Sequence, residues 1–210
     1  MTDVTAARPR DRLLQAARDV LADEGLEGLT LRAIARRAGV SHGAPLRHFP
    51  TLASLLAALA TEGFERLIAT VDADLAAADA AAAAARATPP GARRRLGIAG
   101  LAYVRFALAD PGVFSVTFRQ ERCDVTDPGY QAAGFRSFQQ LVDLVAAAQA
   151  DGWQPGVPTR DLAAVVWANV HGLATLELHG GLGAVAGAGA LDRLGPLSSI
   201  LVLGPEGDPR

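Results

Sequence analysis

Apolar residues recur every three or four positions along most of the chain, and Gly or Pro repeatedly interrupts this pattern. That spacing places apolar side chains on one face of an amphipathic helix. No alternating segment long enough to suggest a strand is present. Hydrophobic residues make up 50% of the 210 residues but aromatic residues only 5%, so Ala, Leu and Val must fill the interior, which suits close-packed helices. The sequence therefore predicts an all-α fold.

Capping and helix-breaking residues divide the N-terminal part into three short helices. A Ser or Thr side chain can accept a hydrogen bond from an otherwise unpaired amide at a helix start, and Gly commonly ends a helix. The three predicted helices are bounded by Pro9 and Gly25, by Thr30 and Gly39, and by Ser41 and about His48.

A long helix follows, capped by Thr51 and apolar on one face from Leu52 to Val71. It continues into an alanine tract at 76–87, which favours frayed helix over a disordered linker because Ala is the best helix former. Pro89, Pro90 and Gly91 end it. Beyond this break the pattern predicts helices at about 93–109, 111–119, 128–151, 159–178 and 190–203.

The distribution of charge is more informative than its sum. The formal net charge is only −2, yet no acidic residue occurs between Gly28 and Thr61. Such a cationic segment can attract nucleic acid, or can be an ordinary solvated helix face. The segment carries Arg32, Arg36, Arg37, Arg47, His42 and His48.

The same segment meets the needs of a helix-turn-helix. Ala35 is small enough for two helices to approach, Gly39 can adopt positive φ in the turn, and Ser41 can cap the second helix. The run from Leu29 to Ala44, followed by His48-Phe49-Pro50, resembles the DNA-binding domain of the TetR family of bacterial regulators. The resemblance implies a helix-turn-helix at about 31–50 within a DNA-binding domain at 8–71. It also implies a long connecting helix and a C-terminal effector-binding and dimerisation domain at 92–204.

The resemblance also implies roles for single residues. Thr30 and His48 would contact phosphates, although His48 is equally a candidate for a packed structural histidine. Arg32 and His42 would read bases, since Arg can pair bidentately with guanine. Around them, Ser41 would cap the recognition helix, Gly43 and Ala44 would line the groove, and Arg36, Arg37 and Arg47 would clamp phosphates or act by long-range attraction. Leu46 and Leu52 depart from the family pattern, which has a phosphate-binding Tyr and Lys there.

Aromatic residues of the C-terminal part indicate either an effector pocket or a plain hydrophobic core. Trp167 to Gly172 resembles a Trp-His-Gly signature of one branch of the family, and its polar Asn169 and His171 are either mutually satisfied or ligand contacts. Ala102 and Ala107 are expected to border the pocket. The segment 162–176 and the last helix are candidates for the dimer interface. The expected ligand-binding residues are Tyr103, Phe106, Phe114, Phe118, Phe138, Trp167 and His171.

Other classes of function find little support in the sequence. No nucleophile with a base, carboxylate pair or phosphate-binding loop appears, so no catalytic residue and no cofactor are predicted. His171 and His179 lie two helical turns apart, too far to hold one metal ion. The single Cys123 fits a reducing cytoplasm, and no membrane segment is expected. We therefore expect a dimeric, ligand-responsive regulator of operator DNA, preferably a repressor with a small apolar effector; the alternative is an adaptor of the same fold without an effector.

Overall fold

The computed structural model describes residues 8–193, 195 and 203. Within this part of the chain the structure is helical and contains no strand, as the sequence predicts. The α-helices are α1 (Pro9–Gly28), α2 (Leu31–Ala38), α3 (Leu52–Ala84), α4 (Ala92–Ala109), α5 (Pro111–Thr117), α6 (Pro128–Ala150), α7 (Thr159–Leu178) and α8 (Gly181–Ala186).

Local signals fix the first two helices. Thr30 accepts a hydrogen bond from the Ala33 amide at 3.1 Å and so caps α2, as predicted. Gly39 ends α2 with φ of 67°, a conformation that favours Gly because it has no Cβ. Gly25 also has positive φ, 69°, and interrupts α1 where the sequence predicts its end, although helical residues resume as far as Gly28.

The third predicted helix, from Ser41 to about His48, is shorter than expected and is not α-helical. In its place a turn leads into a short 3-10 helix, Pro45–Arg47. Its amides bond three residues back, from Ala44 to the Ser41 carbonyl at 2.9 Å and from His48 to the Pro45 carbonyl at 2.9 Å. Pro45 has no N–H to donate to the preceding turn, and this favours the tighter winding over an α-helix.

Helix α3 contains 33 residues and begins with a reciprocal cap. The Ser54 amide donates to Thr51 Oγ1 at 3.0 Å, and the Thr51 amide donates to Ser54 Oγ at 3.1 Å. The helix extends through the alanine tract to Ala84, which confirms the prediction of helix there.

The chain forms two compact units, and neither is one continuous stretch of sequence. The first unit comprises Met1–Phe64 and Asp110–Gly134, and the second comprises Glu65–Ala109 and Phe135–Arg210. Helices α3 and α6 each contribute residues to both units. These boundaries differ from the contiguous domains 8–71 and 92–204 that the sequence suggested, because α5 joins the first unit.

The core of the first unit is formed by α1, α2, the start of α3, α5 and the segment after it. Leu14, Ile34, Leu55 and Val113 are buried there. A Cβ on Gly112 would lie 2.8 Å from Leu21 Cγ, so α5 lies directly against α1. Cys123 belongs to this core and is a free thiol.

The second unit has its own core, in which Leu96, Val145, Trp153 and Val166 are buried. Its α4, α6 and α7 follow the predicted helices to within a few residues, but the short α8 was expected to be loop. Residues 190–193, 195 and 203 of the predicted last helix are helical, and the rest of that prediction lies outside the described residues.

Candidate nucleic-acid interface and effector cavity

The turn between α2 and the 3-10 helix holds the predicted DNA-contacting segment in a defined conformation. The Val40 amide donates to the Ala35 carbonyl at 3.0 Å, next to the left-handed Gly39. Thr30 Oγ1 uses a lone pair to cap α2, which leaves its hydroxyl proton available to a phosphate oxygen. Thr30 is exposed, as that role requires.

The four arginines of the segment fall into two pairs. Arg37 Nη1 lies 2.8 Å from Asp23 Oδ2, and Arg36 Nη2 lies 3.7 Å from Glu24 Oε1, so α1 partly neutralises both cations. Arg32 and Arg47 are exposed and have no ion-pair partner among residues 8–193, 195 and 203. Of the predicted arginine contacts, Arg32 and Arg47 are therefore the better placed to meet phosphates or bases.

The remaining predicted DNA-contacting residues are also accessible. Ser41, His42, Gly43 and His48 are exposed, and Ala44 is half-buried. The exposure of His48 favours a solvent or ligand contact over a packed core position.

One exposed residue was not among the predicted contacts. Pro45 is fully buried, whereas the next residue, Leu46, is 54% exposed. The sequence analysis noted Leu46 only because the family pattern has a phosphate-binding Tyr at that position. This difference was the available signal that Leu46 has another role than that Tyr.

The predicted ligand-binding aromatics are distributed over both units. In the first unit, Phe118 packs edge-on against Phe64 with ring centroids 5.6 Å apart and lies 5.2 Å from Phe114. The other five residues belong to the second unit. Phe114 lies in α5 and Phe118 directly follows it, and Val113 and Val116 of the same helix are buried in the first core.

Within the second unit, α4, α6 and α7 bring together an aromatic cluster, which we define as Tyr103, Phe138, Trp167 and His171. Tyr103 Oη lies 2.6 Å from His171 Nδ1, and Trp167 Nε1 donates to Tyr103 Oη at 3.3 Å. Phe138 and Trp167 meet edge to face at 6.3 Å. Phe106, which is also part of α4, is buried.

Burial controls the protonation of this cluster. It raises the pKa of Tyr103, against a smaller lowering by the hydrogen bond from Trp167. It also lowers the pKa of His171. Tyr103 therefore keeps its proton and His171 stays neutral, and the tautomer of His171 sets which of the two donates in the hydrogen bond between them. His171, one of the two polar residues that the sequence singled out on this helix, thus has Tyr103 as a hydrogen-bond partner.

A cavity of about 620 Å³ lies in the second unit between α4, α7 and residues of the last predicted helix. Gly97, Gly100 and Val104 of α4 face Val170 and Leu173 of α7 across it. Its polar residues are Arg105, Asn169 and Asp192, and Arg105 is already ion-paired with Asp74. None of the seven predicted ligand-binding residues lies along its described walls, and Ala102 and Ala107 are fully buried outside it.

Metal and thiol chemistry find no basis in the part of the chain that the structure describes. It contains no group of three or more His, Cys, Asp or Glu residues placed to hold a metal ion. Burial raises the pKa of Cys123 to about 11, with a smaller contribution from Glu121, so the reactive thiolate is disfavoured.

Among the described helices no single one is long and apolar enough to cross a membrane, although the bent pair α4 and α5 reaches that length and composition together.

The exposed cationic helix-turn-helix and the helical second unit define a DNA-binding regulator, and comparison with known proteins identifies its family. Residues 13–59 match the family described as bacterial regulatory proteins, tetR family. Residues 96–194 match the tetracyclin repressor-like C-terminal domain. The chain belongs to the TetR family, whose members are transcription regulators and not enzymes.

Solved structures agree with this assignment. A protein of unknown function from Rhodococcus sp. RHA1 is 30% identical, with a TM-score of 0.75 over 97% of this chain and 100% of that one. A TetR family regulator from Marinobacter aquaeolei VT8 is 19% identical, with a TM-score of 0.66 over 93% of each chain. The regulator FadR from Bacillus subtilis, solved with stearoyl-CoA, is 16% identical, with a TM-score of 0.68 over 93% of this chain and 98% of that one. No curated protein matches the sequence.

Proposed function

We propose that the protein is a ligand-responsive repressor that binds a near-palindromic operator as a homodimer. The observation that carries the proposal is that Arg32 and Arg47 are exposed and have no ion-pair partner in the part of the chain that the structure describes. Both lie in a capped helix-turn-helix segment that contains no acidic residue. Cations in that position can displace counterions from phosphates, and Arg can also pair with guanine. The cytoplasm is the compartment that this function implies.

The outer face of α7 supports association with a second copy of the chain. Val165 is 62% exposed and Leu176 is 50% exposed, and the exposed Ala164 and Ala168 lie within three residues of Val165 on the same helix. Small residues beside exposed branched ones let two helices approach closely, which is how symmetric helical interfaces bury area. A dimer would present two helix-turn-helix segments to two half-sites of one duplex.

The cavity supports a response to a small apolar effector. Its volume lies within the range of ligand pockets, and its walls are mostly Leu, Val and Gly. The FadR regulator that shares this fold was solved with stearoyl-CoA, so acyl compounds belong in the first set of probes. Release of DNA requires the effector to favour the state that does not bind operator. The aromatic cluster is a second candidate for effector contact, because it presents polar atoms beside rings.

The test measures operator affinity at several salt concentrations, with and without effector. We expect the logarithm of the affinity to fall linearly with the logarithm of the salt concentration, because phosphate contacts release counterions. A salt-independent interaction would contradict operator binding. Elution at the monomer mass at micromolar concentration would contradict the homodimer.

A cavity-filling variant tests the effector site separately. Gly100 lines the cavity, and a Cβ there would lie 3.9 Å from Val170 Cγ2, an ordinary contact distance, so Gly100→Leu adds its side chain at the cavity wall. We expect it to keep operator binding and lose the response to effector. Ala102→Leu is the matched control, because Ala102 is fully buried outside the cavity and its enlargement should lower stability instead. If Gly100→Leu folds and responds like the wild type, the cavity is not the effector site and the adaptor alternative gains support.

A further inference from the structure

Leu46 is exposed where the protein presents its cations. Of the described residues from 8 to 64, Leu46 is the one large hydrophobic residue classed as exposed, at 54%. Its neighbour Arg47 and the nearby His42 and His48 are exposed as well. Single exposed leucines are common on protein surfaces, but this one lies in the middle of the candidate nucleic-acid interface.

The 3-10 helix accounts for the direction of Leu46. With three residues per turn, successive side chains point about 120° apart. Pro45 occupies the inward direction and is fully buried, which turns Leu46 and Arg47 toward solvent together. The buried ring of Pro45 and the bond from the Phe49 amide to the Pro45 carbonyl, 2.8 Å, hold this arrangement in place.

We infer that Leu46 contacts the C5-methyl group of a thymine in each operator half-site and so helps to determine sequence specificity. This inference rests on the proposed binding of operator DNA. Leu has no donor for a phosphate oxygen, so an apolar base edge is the partner that its chemistry fits. In the major groove the thymine methyl is the apolar feature that side chains read.

The charges around Leu46 favour DNA over an apolar protein surface as its partner. The nearest acidic residues in sequence are Glu27 and Glu62, and Arg32 and Arg47 have no ion-pair partner in the described ranges. Burying Leu46 against a protein would bring these cations into the same interface and require acidic partners for them. On DNA, the negatively charged phosphates that flank each base would serve as the partners of these cations.

The experiment removes single methyl groups from the DNA. Duplexes that the full-length wild type selects from a random pool are resynthesised with each thymine replaced in turn by deoxyuridine, which lacks only the C5-methyl group. We expect one position per half-site at which wild-type affinity falls about fourfold, the effect of withdrawing one methyl group from an apolar contact. Leu46→Ala should bind the original duplex more weakly and be indifferent to that replacement. Leu46→Met should retain the wild-type preference.

Arg47→Ala is the matched control, because it changes the adjacent exposed side chain. It should weaken binding on every duplex and lower the salt dependence while keeping the preference for the methyl group. The inference is overturned if the wild type is indifferent to every replacement, or if Leu46→Ala keeps the wild-type preference. A uniform loss in Leu46→Ala on all sequences would also overturn it. If the wild type selects no duplex from the random pool, the proposed operator binding is contradicted. This outcome is distinct from the results that would overturn only the role of Leu46.

Discussion

The two units of this protein differ in how their helices are packed around glycine. In the first unit, a Cβ on Gly63 of α3 would collide with Thr117 Oγ1 and lie 3.1 Å from Val113 Cγ1. In the second unit, Gly97 and Gly100 of α4 face a cavity, and a Cβ there would meet its nearest atoms at 3.6 and 3.9 Å. The first unit therefore has no room for a larger side chain beside Gly63, and such close packing suits a unit that must hold a fixed surface against DNA. The second leaves space that a ligand can fill.

Substitution of Ala for Gly at the two sites should give effects of opposite sign, and this is the largest difference we expect. Gly63→Ala should destabilise the protein by about 1–3 kcal/mol, because Thr117 is fully buried and bonded to the Val113 carbonyl at 2.7 Å. Gly100→Ala should stabilise it by about 0.5–1 kcal/mol, because Ala is the better residue inside a helix. Urea unfolding of both variants measures the difference. Equal effects at the two sites would remove the contrast between the units.

The two pairs of arginines in the first unit should differ in their importance for DNA. Arg32→Ala should weaken operator binding by about 1–3 kcal/mol and relax the preference at one base pair if Arg32 reads a base. Arg36→Ala should weaken it less, because Glu24 lies 3.7 Å from its guanidinium and partly neutralises it. Fluorescence anisotropy on the selected duplex and on single-base variants distinguishes the two. A larger loss for Arg36→Ala would mean that DNA displaces its acidic partner.

The sequence predicted what depends on neighbouring residues and failed where distant packing decides. The caps at Thr30 and Thr51 and the turn at Gly39 follow from residues within one helical turn, and the structure confirms them. The weakness of an α-helix around Pro45 was also visible locally, but the prediction placed Pro45 in the early part of a helix where the missing amide costs little. The pairing of Arg37 with Asp23, the position of α5 in the first unit and the cavity beside Gly100 all depend on contacts far apart in sequence.

The cap of α2 should contribute a smaller, purely local stabilisation to the first unit. Thr30→Ala removes the acceptor for the Ala33 amide and should lower the free energy of unfolding by about 1 kcal/mol. Thr30→Ser keeps the hydroxyl and should restore most of that stability. Thermal unfolding of the two variants measures the cap. If Ser fails to restore stability, the methyl group of Thr30 and not its hydroxyl is what matters.

The smallest expected effect lies in the second unit and concerns acid. Burial lowers the pKa of His171, so the unfolded chain binds a proton at a higher pH than the folded one does. The stability that neutral His171 provides is therefore fully present above the ordinary histidine pKa of about 6.5. It is lost as the pH falls through the lowered pKa, because burial disfavours the charged imidazolium.

His171→Asn tests this assignment, since an amide group can replace the imidazole as hydrogen-bond donor or acceptor but does not titrate in this range. We expect the thermal midpoint of the wild type to fall between pH 7 and pH 5 by more than that of the variant. His179→Asn is the control for the exposed histidine that follows α7, and it should follow the wild-type profile. If the wild type and His171→Asn lose stability equally on acidification, the hydrogen-bonded cluster does not sense pH.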